Sequence, residues 1–179
     1  MVFTEGTALM FQAGKDLSRE ERVKLSQAAG VQQEESTLSF ESAGQNKAEP
    51  GSVYDFAGYL PAGHTVDKLN SWKKQGAEIC YLTSRRIKSE VETIQAILKK
   101  YDFPNWQDLY FRHQEEDYKD VVERVKPDVL IEDDCESIGG EVEMTYPHIR
   151  EDLKAKIKSV VVKEFQGIDH LPDSLAELK

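Results

Sequence analysis

Residues 126–140 decide the fold, because an apolar run of strand type ends there in a block of acids: Lys126-Pro127-Asp128-Val129-Leu130-Ile131-Glu132-Asp133-Asp134-Cys135-Glu136-Ser137-Ile138-Gly139-Gly140. The apolar triplet at 129–131 is continuous rather than alternating, which is typical of a strand buried on both faces. Strands of that kind belong to parallel sheets that are covered by helices. The stretch therefore predicts an α/β protein in which this strand ends in three carboxylates.

The three acids that follow the strand, Glu132, Asp133 and Asp134, predict a bound cation. A buried strand seldom ends in several negative charges unless a positive group lies beside them, and open α/β sheets bind ligands at the carboxyl ends of their strands. Mg²⁺ suits this position, because it is commonly held by one or two carboxylates and by phosphate oxygens of a substrate. The alternative is a solvated acidic turn without a ligand.

The charge composition excludes several classes of partner. The chain has 23 Lys and Arg against 33 Asp and Glu, a formal net charge of −10. This excess argues against a nucleic acid polymer or an anionic membrane surface as partner. A small phosphorylated molecule remains compatible, because a bound cation or a few basic groups reverse the field locally.

The length and the cysteines indicate the expected architecture and location. The 179 residues suit one domain with a small insertion. No apolar run is long enough to span a membrane, and the first residues lack the basic and apolar regions of a signal peptide. Cys80 and Cys135 give no disulfide framework. We expect a single cytoplasmic domain over residues 1–179, and the sequence leaves its oligomeric state open.

Short apolar runs alternate with amphipathic helical patterns along the chain. Strands are expected at residues 1–3, 77–82, 109–111, 129–131 and 159–162. Helices are expected from Val66 to a stop at Gly76, from a capping box of Ser89 and Glu92 to Tyr101, from Tyr118 to Val125, and over residues 150–157. This alternation predicts right-handed βαβ units, a mainly parallel sheet and a Rossmann-like three-layer sandwich.

One segment interrupts this alternation. Residues 26–52 contain only Val31, Leu38 and Phe40 as large apolar residues, so the segment buries little surface. We assign residues 12–57 to an insertion or small cap after the first strand, partly mobile. The insertion is expected to be either a lid over a site or a surface loop without a role.

Four short blocks follow strands or open a helix, and a parallel sheet would bring them to one edge. They are Phe3-Thr4-Glu5-Gly6-Thr7, Ile79-Cys80-Tyr81-Leu82-Thr83-Ser84-Arg85, Tyr118-Lys119-Asp120-Val121 and Leu130-Ile131-Glu132-Asp133-Asp134. In order and spacing they resemble the motifs of the haloacid dehalogenase-like (HAD) superfamily, over residues 1–12 and 58–165. The second and fourth blocks are similar to those of its deoxyribonucleotidase-like branch.

The resemblance implies a Mg²⁺-dependent phosphohydrolase. In that family a carboxylate after the first strand attacks phosphorus, and a second acid two residues later serves as general acid and base. Mg²⁺ neutralises the charge of the phosphoryl group, while a hydroxyl and a lysine hold that group in place.

The first motif of the family, Asp-x-Asp-Gly-Thr, is only partly present here. Gly6 and Thr7 match, Glu5 stands at the position of the acid and base, and Phe3 stands at the position of the nucleophile. A phenyl ring cannot attack phosphorus. The resemblance therefore implies weak or absent phosphatase activity, with Glu5 as the remaining catalytic group.

The other motifs assign the binding groups. By the resemblance, Thr83 and Ser84 bind the phosphate together with Lys119, and Asp133 is the principal metal ligand, flanked by Glu132 and Asp134. From the residues alone, Thr83 and Ser84 can equally cap the next helix, and Lys119 can be a solvated ion-pair partner. Two functions are expected on this basis: a HAD-like phosphohydrolase that acts on a small phosphate ester, or a non-catalytic relative that binds Mg²⁺ and phosphate for regulation.

Overall fold

A computed structural model describes residues 1–30, 48–113 and 115–178. The strands are β1 (Val2–Phe3), β2 (Leu9–Met10), β3 (Leu60–Pro61), β4 (Tyr81–Leu82), β5 (Leu109–Tyr110), β6 (Val129–Asp133) and β7 (Lys158–Val162). The α-helices are α1 (Arg19–Ala29), α2 (Thr65–Lys74), α3 (Lys88–Lys100), α4 (Tyr118–Val125), α5 (Glu151–Lys154) and α6 (Leu175–Leu178). In the described part of the chain, no helix combines the length and the apolar character needed to cross a membrane.

Five strands form one sheet in the order β5-β4-β1-β6-β7. Each neighbouring pair is parallel, which confirms the predicted parallel α/β sheet. The strand predicted at 77–82 is shorter than expected, since only Tyr81 and Leu82 pair with their neighbours. The chain moves outward from β1 first toward β5 and later toward β7, so the order reverses between β1 and β6 and leaves a crevice there.

Alternating side chains of the central strands pack into two separate hydrophobic cores. Val2, Tyr81 and Ile131 belong to one core together with side chains of α2 and α3. Their neighbours Met1, Leu82 and Leu130 belong to the other, together with side chains of α4 and α5. Because successive side chains of a strand point to opposite faces, helices cover both faces of the sheet. This explains why the strands are continuous apolar runs in the sequence.

The predicted helices are present, with corrections at their ends. The capping box expected from Ser89 and Glu92 is wrong: α3 begins at Lys88, and Ser89 lies inside its first turn, where its carbonyl accepts the Thr93 hydroxyl at 2.7 Å. The residue before α3 is Ile87, whose side chain has no polar atom with which to cap a helix. The helix expected over 150–157 is limited to Glu151–Lys154.

The first part of the predicted insertion contains an ordered helix. The Ser18 hydroxyl accepts the Glu21 N–H at 3.3 Å, and the Glu21 carboxylate accepts the Ser18 N–H at 2.8 Å, so a capping box begins α1. The helix ends at Gly30, which is in the left-handed conformation. The central part of the segment predicted to be mobile, residues 31–47, lies outside the described residues.

The segment after β7 packs against α2. The Trp72 indole donates to the Pro172 carbonyl at 3.0 Å, and the Lys68 ammonium donates to the Leu171 carbonyl at 2.8 Å. Leu171 and Leu175 also lie against the larger core. These C-terminal residues therefore cover a helix on one face of the sheet.

Candidate functional site

A cleft lies at the carboxyl ends of β1, β4, β6 and β7, over the crevice between β1 and β6. It holds about 820 Å³ of empty space, counting its open mouth. We call it the switch-point cleft. Its charged lining residues are Glu5, Arg85, Glu132, Asp133, Glu143 and Glu164. Its aromatic lining residues are Phe3, Phe11, Tyr54, Phe56, Tyr59, Tyr118 and Phe165. The lining of the cleft thus combines acidic and aromatic side chains.

Glu5 is held by hydrogen-bond donors at the ends of β1 and β4. One carboxylate oxygen accepts the Thr83 hydroxyl at 2.6 Å. The other accepts the Ser84 backbone N–H at 3.0 Å and the Thr4 hydroxyl at 2.6 Å. The Glu5 side chain is 14% exposed, and the nearest guanidinium nitrogen of Arg85 lies 4.0 Å away. Thr83 and Ser84 are thus brought to the site, where their donors contact a carboxylate of the chain itself.

Asp133 lines the same cleft as Glu5 and lies at the end of β6. Its carboxylate accepts the Thr7 hydroxyl at 2.8 Å and the Cys135 N–H at 3.0 Å. A Cβ atom on Gly6 would lie 2.6 Å from a carboxylate oxygen of Asp133, and Gly6 has a φ of +78°. Only glycine meets both demands without strain. Glycine is therefore required at position 6 by the close approach of the backbone to Asp133.

The ionisation of Asp133 is disfavoured in the folded protein. Burial raises the pKa of Asp133 from 3.8 to about 7, and the negative charge of Glu164 adds to the shift. The hydrogen bonds from Thr7 and Cys135 lower the pKa but do not offset the burial. A nearby cation would stabilise the ionised form of such a carboxylate.

The two acids beside Asp133 face other partners. The Glu132 carboxylate accepts the backbone N–H groups of Thr145 at 2.7 Å and Tyr146 at 3.0 Å. The Asp134 carboxylate accepts the Lys163 ammonium at 2.8 Å and the Glu164 N–H at 3.0 Å. Each has a structural partner set of its own, so the structure does not gather the three acids around one point.

Glu164 is an acid of the site that the sequence analysis missed. It follows β7, is buried and lines the cleft. Its carboxylate accepts the Ser137 N–H at 2.7 Å and the Ser137 hydroxyl at 2.6 Å. Burial raises the pKa of Glu164, in opposition to the Ser137 hydrogen bonds. Its position just after β7 could have identified it from the sequence, since the other site residues also follow strands.

The remaining predicted residues divide between the cleft and its surroundings. Phe3 lines the cleft and packs edge-on against Tyr118, with ring centroids 5.5 Å apart. Lys119 is half-buried in the first turn of α4, and the described residues that line the cleft do not include it. Arg85, which the sequence analysis gave no role, places its guanidinium 4.6 Å from the centroid of the Phe56 ring. Among the described residues that line the cleft, Arg85 is the one with a positively charged side chain.

Mg²⁺ needs fewer protein ligands than a metal that is held in a protein cage. Among the described residues, no three His, Cys, Asp or Glu side chains converge as a metal-binding group. Mg²⁺ retains several waters and needs only one or two carboxylates. Asp133, buried beside a second acid and opening onto the cleft, is suited to supply one of these.

Comparisons of the chain with protein-family models, with curated proteins and with solved structures find no match. The case for a function therefore depends on the geometry of the switch-point cleft.

Proposed function

We propose that the switch-point cleft binds Mg²⁺ and a small phosphate ester, as a HAD-like phosphohydrolase site with weak or absent phosphatase activity. The observation that carries the proposal is that Asp133, whose pKa is raised, lines the same cleft as Glu5, the carboxylate that accepts the Thr83 and Ser84 donors. A carboxylate with a raised pKa suits a cation, and neighbouring hydroxyl and amide donors suit a phosphoryl oxygen. The position at the reversal of strand order is where open α/β sheets bind ligands.

Each group of the site has an expected role. Asp133 would hold Mg²⁺, which when bound would neutralise the charge on a phosphoryl group. The Thr83 hydroxyl and the Ser84 N–H would donate to phosphoryl oxygens. Arg85 lies beside them and would add positive charge. Lys119 would contribute only after a rearrangement of its side chain toward the cleft.

The position of the nucleophile limits catalysis. Phe3 supplies no atom that can form a bond to phosphorus, so a covalent phosphoenzyme cannot form there. Glu5 is the remaining acid that could transfer a proton to a leaving group or from water. Charge stabilisation and positioning alone still give some rate over the reaction in water. We therefore expect turnover far below that of an enzyme with an aspartate at this position.

A non-catalytic binding or regulatory protein is the second candidate. The packing of the Phe3 ring against Tyr118 favours it, because an aromatic pair occupies the place that a nucleophile needs. In this alternative the Mg²⁺ and phosphate groups serve recognition. The two candidates share the ligand and differ in turnover.

Thermal unfolding tests the ligand. Mg²⁺ at about a hundredfold above its Kd stabilises a folded protein by about 2.7 kcal/mol, which raises Tm by roughly 5–10 °C for a chain of this size. We expect this rise in the wild type and in Asp134→Asn, and its loss in Asp133→Asn. A rise that persists in Asp133→Asn would remove Asp133 from the metal site.

Hydrolysis of p-nitrophenyl phosphate separates the two candidates. We expect no measurable Mg²⁺-dependent turnover by the wild type, and a gain of turnover in a folded Phe3→Asp variant. Robust turnover by the wild type that Glu5→Gln abolishes would instead make Glu5 the central catalytic group. A folded Phe3→Asp protein that binds Mg²⁺ but does not bind phosphate esters would contradict the phosphate site.

A further inference from the structure

The carboxylate of Glu5 occupies a small anion-binding position. The Thr83 hydroxyl and the Ser84 N–H, which we call the oxyanion cradle, both donate to it, at 2.6 and 3.0 Å. The Thr4 hydroxyl adds a third donor at 2.6 Å. A hydroxyl, a backbone amide and a nearby guanidinium are the groups that proteins use to bind oxyanions.

The oxyanion cradle is the same pair of donors that the proposed function assigns to the phosphoryl group. A carboxylate and a phosphoryl group both present oxygen acceptors with negative charge, so they compete for these donors. Two such anions also repel one another at this separation, where burial weakens the screening by solvent. The Glu5 carboxylate and a phosphate cannot occupy the oxyanion cradle together.

The length and surroundings of Glu5 account for its reach. A glutamate extends one methylene further than an aspartate, and this extension brings its carboxylate from the end of β1 to donors at the end of β4. Arg85 supports the same position: its guanidinium donates to the Ser84 hydroxyl at 2.8 Å and lies over the Phe56 ring. The two donors of the oxyanion cradle are already directed at the Glu5 carboxylate.

We propose that Glu5 is an internal competitor, an autoinhibitory anion that must leave the oxyanion cradle before a phosphate enters. The inference rests on the proposed function, since it concerns the same cleft. Its consequence follows from population arithmetic: the apparent affinity for phosphate falls in proportion to the fraction of molecules in which the oxyanion cradle is open. Removal of the competitor therefore tightens phosphate binding, although Glu5 lies within the site itself.

Calorimetric titration with inorganic phosphate, at a fixed saturating concentration of Mg²⁺, tests this inference. Glu5→Ala opens the oxyanion cradle and is expected to lower the Kd for phosphate by at least about tenfold. Glu143→Gln is the matched control, because Glu143 lines the same cleft but lies outside the oxyanion cradle. It removes one negative charge and is expected to change the Kd by less than about threefold.

Glu5→Asp separates occupancy from charge. The shorter side chain keeps the negative charge but no longer reaches Thr83, so competition predicts a gain in affinity here too. Thr83→Val introduced into Glu5→Ala should reverse the gain, because it removes a donor from the oxyanion cradle. If Glu5→Ala fails to fold, as judged by circular dichroism and urea unfolding, Glu5→Asp decides the question by the same criterion.

The outcomes distinguish the inference from the proposed function. Wild-type binding of phosphate with no gain in Glu5→Ala or Glu5→Asp beyond that of Glu143→Gln overturns the competitor and leaves the proposed function standing. No binding of phosphate by the wild type or by any folded variant overturns both. A gain in both Glu5 variants, reversed by Thr83→Val, supports both.

Discussion

Substitution of Asp133 by asparagine is expected to stabilise the metal-free protein above neutral pH. In the folded state, burial and the Glu164 charge raise the pKa of Asp133 from 3.8 to about 7. Each pKa unit corresponds to about 1.4 kcal/mol, so ionisation of this carboxyl costs at most about 4 kcal/mol of stability. The penalty is absent below the unfolded pKa of 3.8, grows as the pH rises, and is complete above about pH 7.

The net effect depends on the hydrogen bonds that remain. Asparagine keeps one acceptor for the two donors that now contact Asp133, and loss of one hydrogen bond costs about 1 kcal/mol. We therefore expect Asp133→Asn to unfold with a free energy about 2–3 kcal/mol above that of the wild type at about pH 8. At about pH 3, below the unfolded pKa of 3.8, the carboxyl is largely neutral in both states, and we expect the variant to be about 1 kcal/mol less stable than the wild type.

Urea unfolding in the presence of a chelator measures this difference. The fluorescence of Trp72 reports on the core, since its side chain is almost fully buried. Asp134→Asn is the matched control: although burial opposes the shift, the Lys163 ammonium lowers the pKa of Asp134. Its substitution should therefore destabilise the protein at about pH 8, by roughly 0.5–1 kcal/mol. If Asp133→Asn is less stable than the wild type at about pH 8 with an unchanged m-value, the argument that burial penalises this carboxylate is refuted.

Three further substitutions test the packing around the cleft, and the free energy of unfolding of each variant is measured with urea. Gly6→Ala should lower it by roughly 2–4 kcal/mol, because the change combines a positive φ with an overlap on Asp133. The control Gly76→Ala, at a residue in open space with a φ of +96°, should lower it by about 1–2 kcal/mol, and equal losses of stability in the two variants would exclude the overlap. Glu132→Ala should lower the free energy of unfolding by roughly 2–4 kcal/mol, because it leaves two backbone N–H groups without an acceptor. The rise in Tm with Mg²⁺ should persist in this variant, and its loss would identify Glu132 as a metal ligand. Ser26→Ala should cost about 1 kcal/mol, because its hydroxyl bonds to a buried serine, and no change would show that this bond contributes nothing.

The parallel sheet could be predicted from the sequence because its strands are buried on both faces. Each run of Val, Leu, Ile or Tyr that was assigned to a strand contributes to the sheet. The start of α3 was predicted less well, because a pattern such as Ser89-x-x-Glu92 also occurs inside helices, where a serine hydroxyl faces solvent or a backbone carbonyl. The capping box of Ser18 and Glu21 was an equally local signal, and it does begin a helix.

The site could be predicted from the sequence only through the rule that ligands bind at the carboxyl ends of parallel strands. Glu5, Thr83 and Asp133 meet because β1, β4 and β6 are adjacent and parallel. The rule does not say which way a side chain points. Consecutive residues of a strand face opposite sides, so three acids in a row, such as those at 132–134, cannot all turn to one cation. Glu164 was missed because the rule was not applied to β7.

The central place of β1 makes the cleft a property of the whole chain. The bonds from Thr83 to Glu5 and from Thr7 to Asp133 join residues 78 and 126 positions apart. Contacts at such separations require large loops to close and therefore give slow, cooperative folding. No half of the chain can form the cleft by itself. A ligand bound there should slow amide hydrogen exchange in β1, β4 and β6 to the same degree, because it binds only the state in which these strands are together and so disfavours their joint separation.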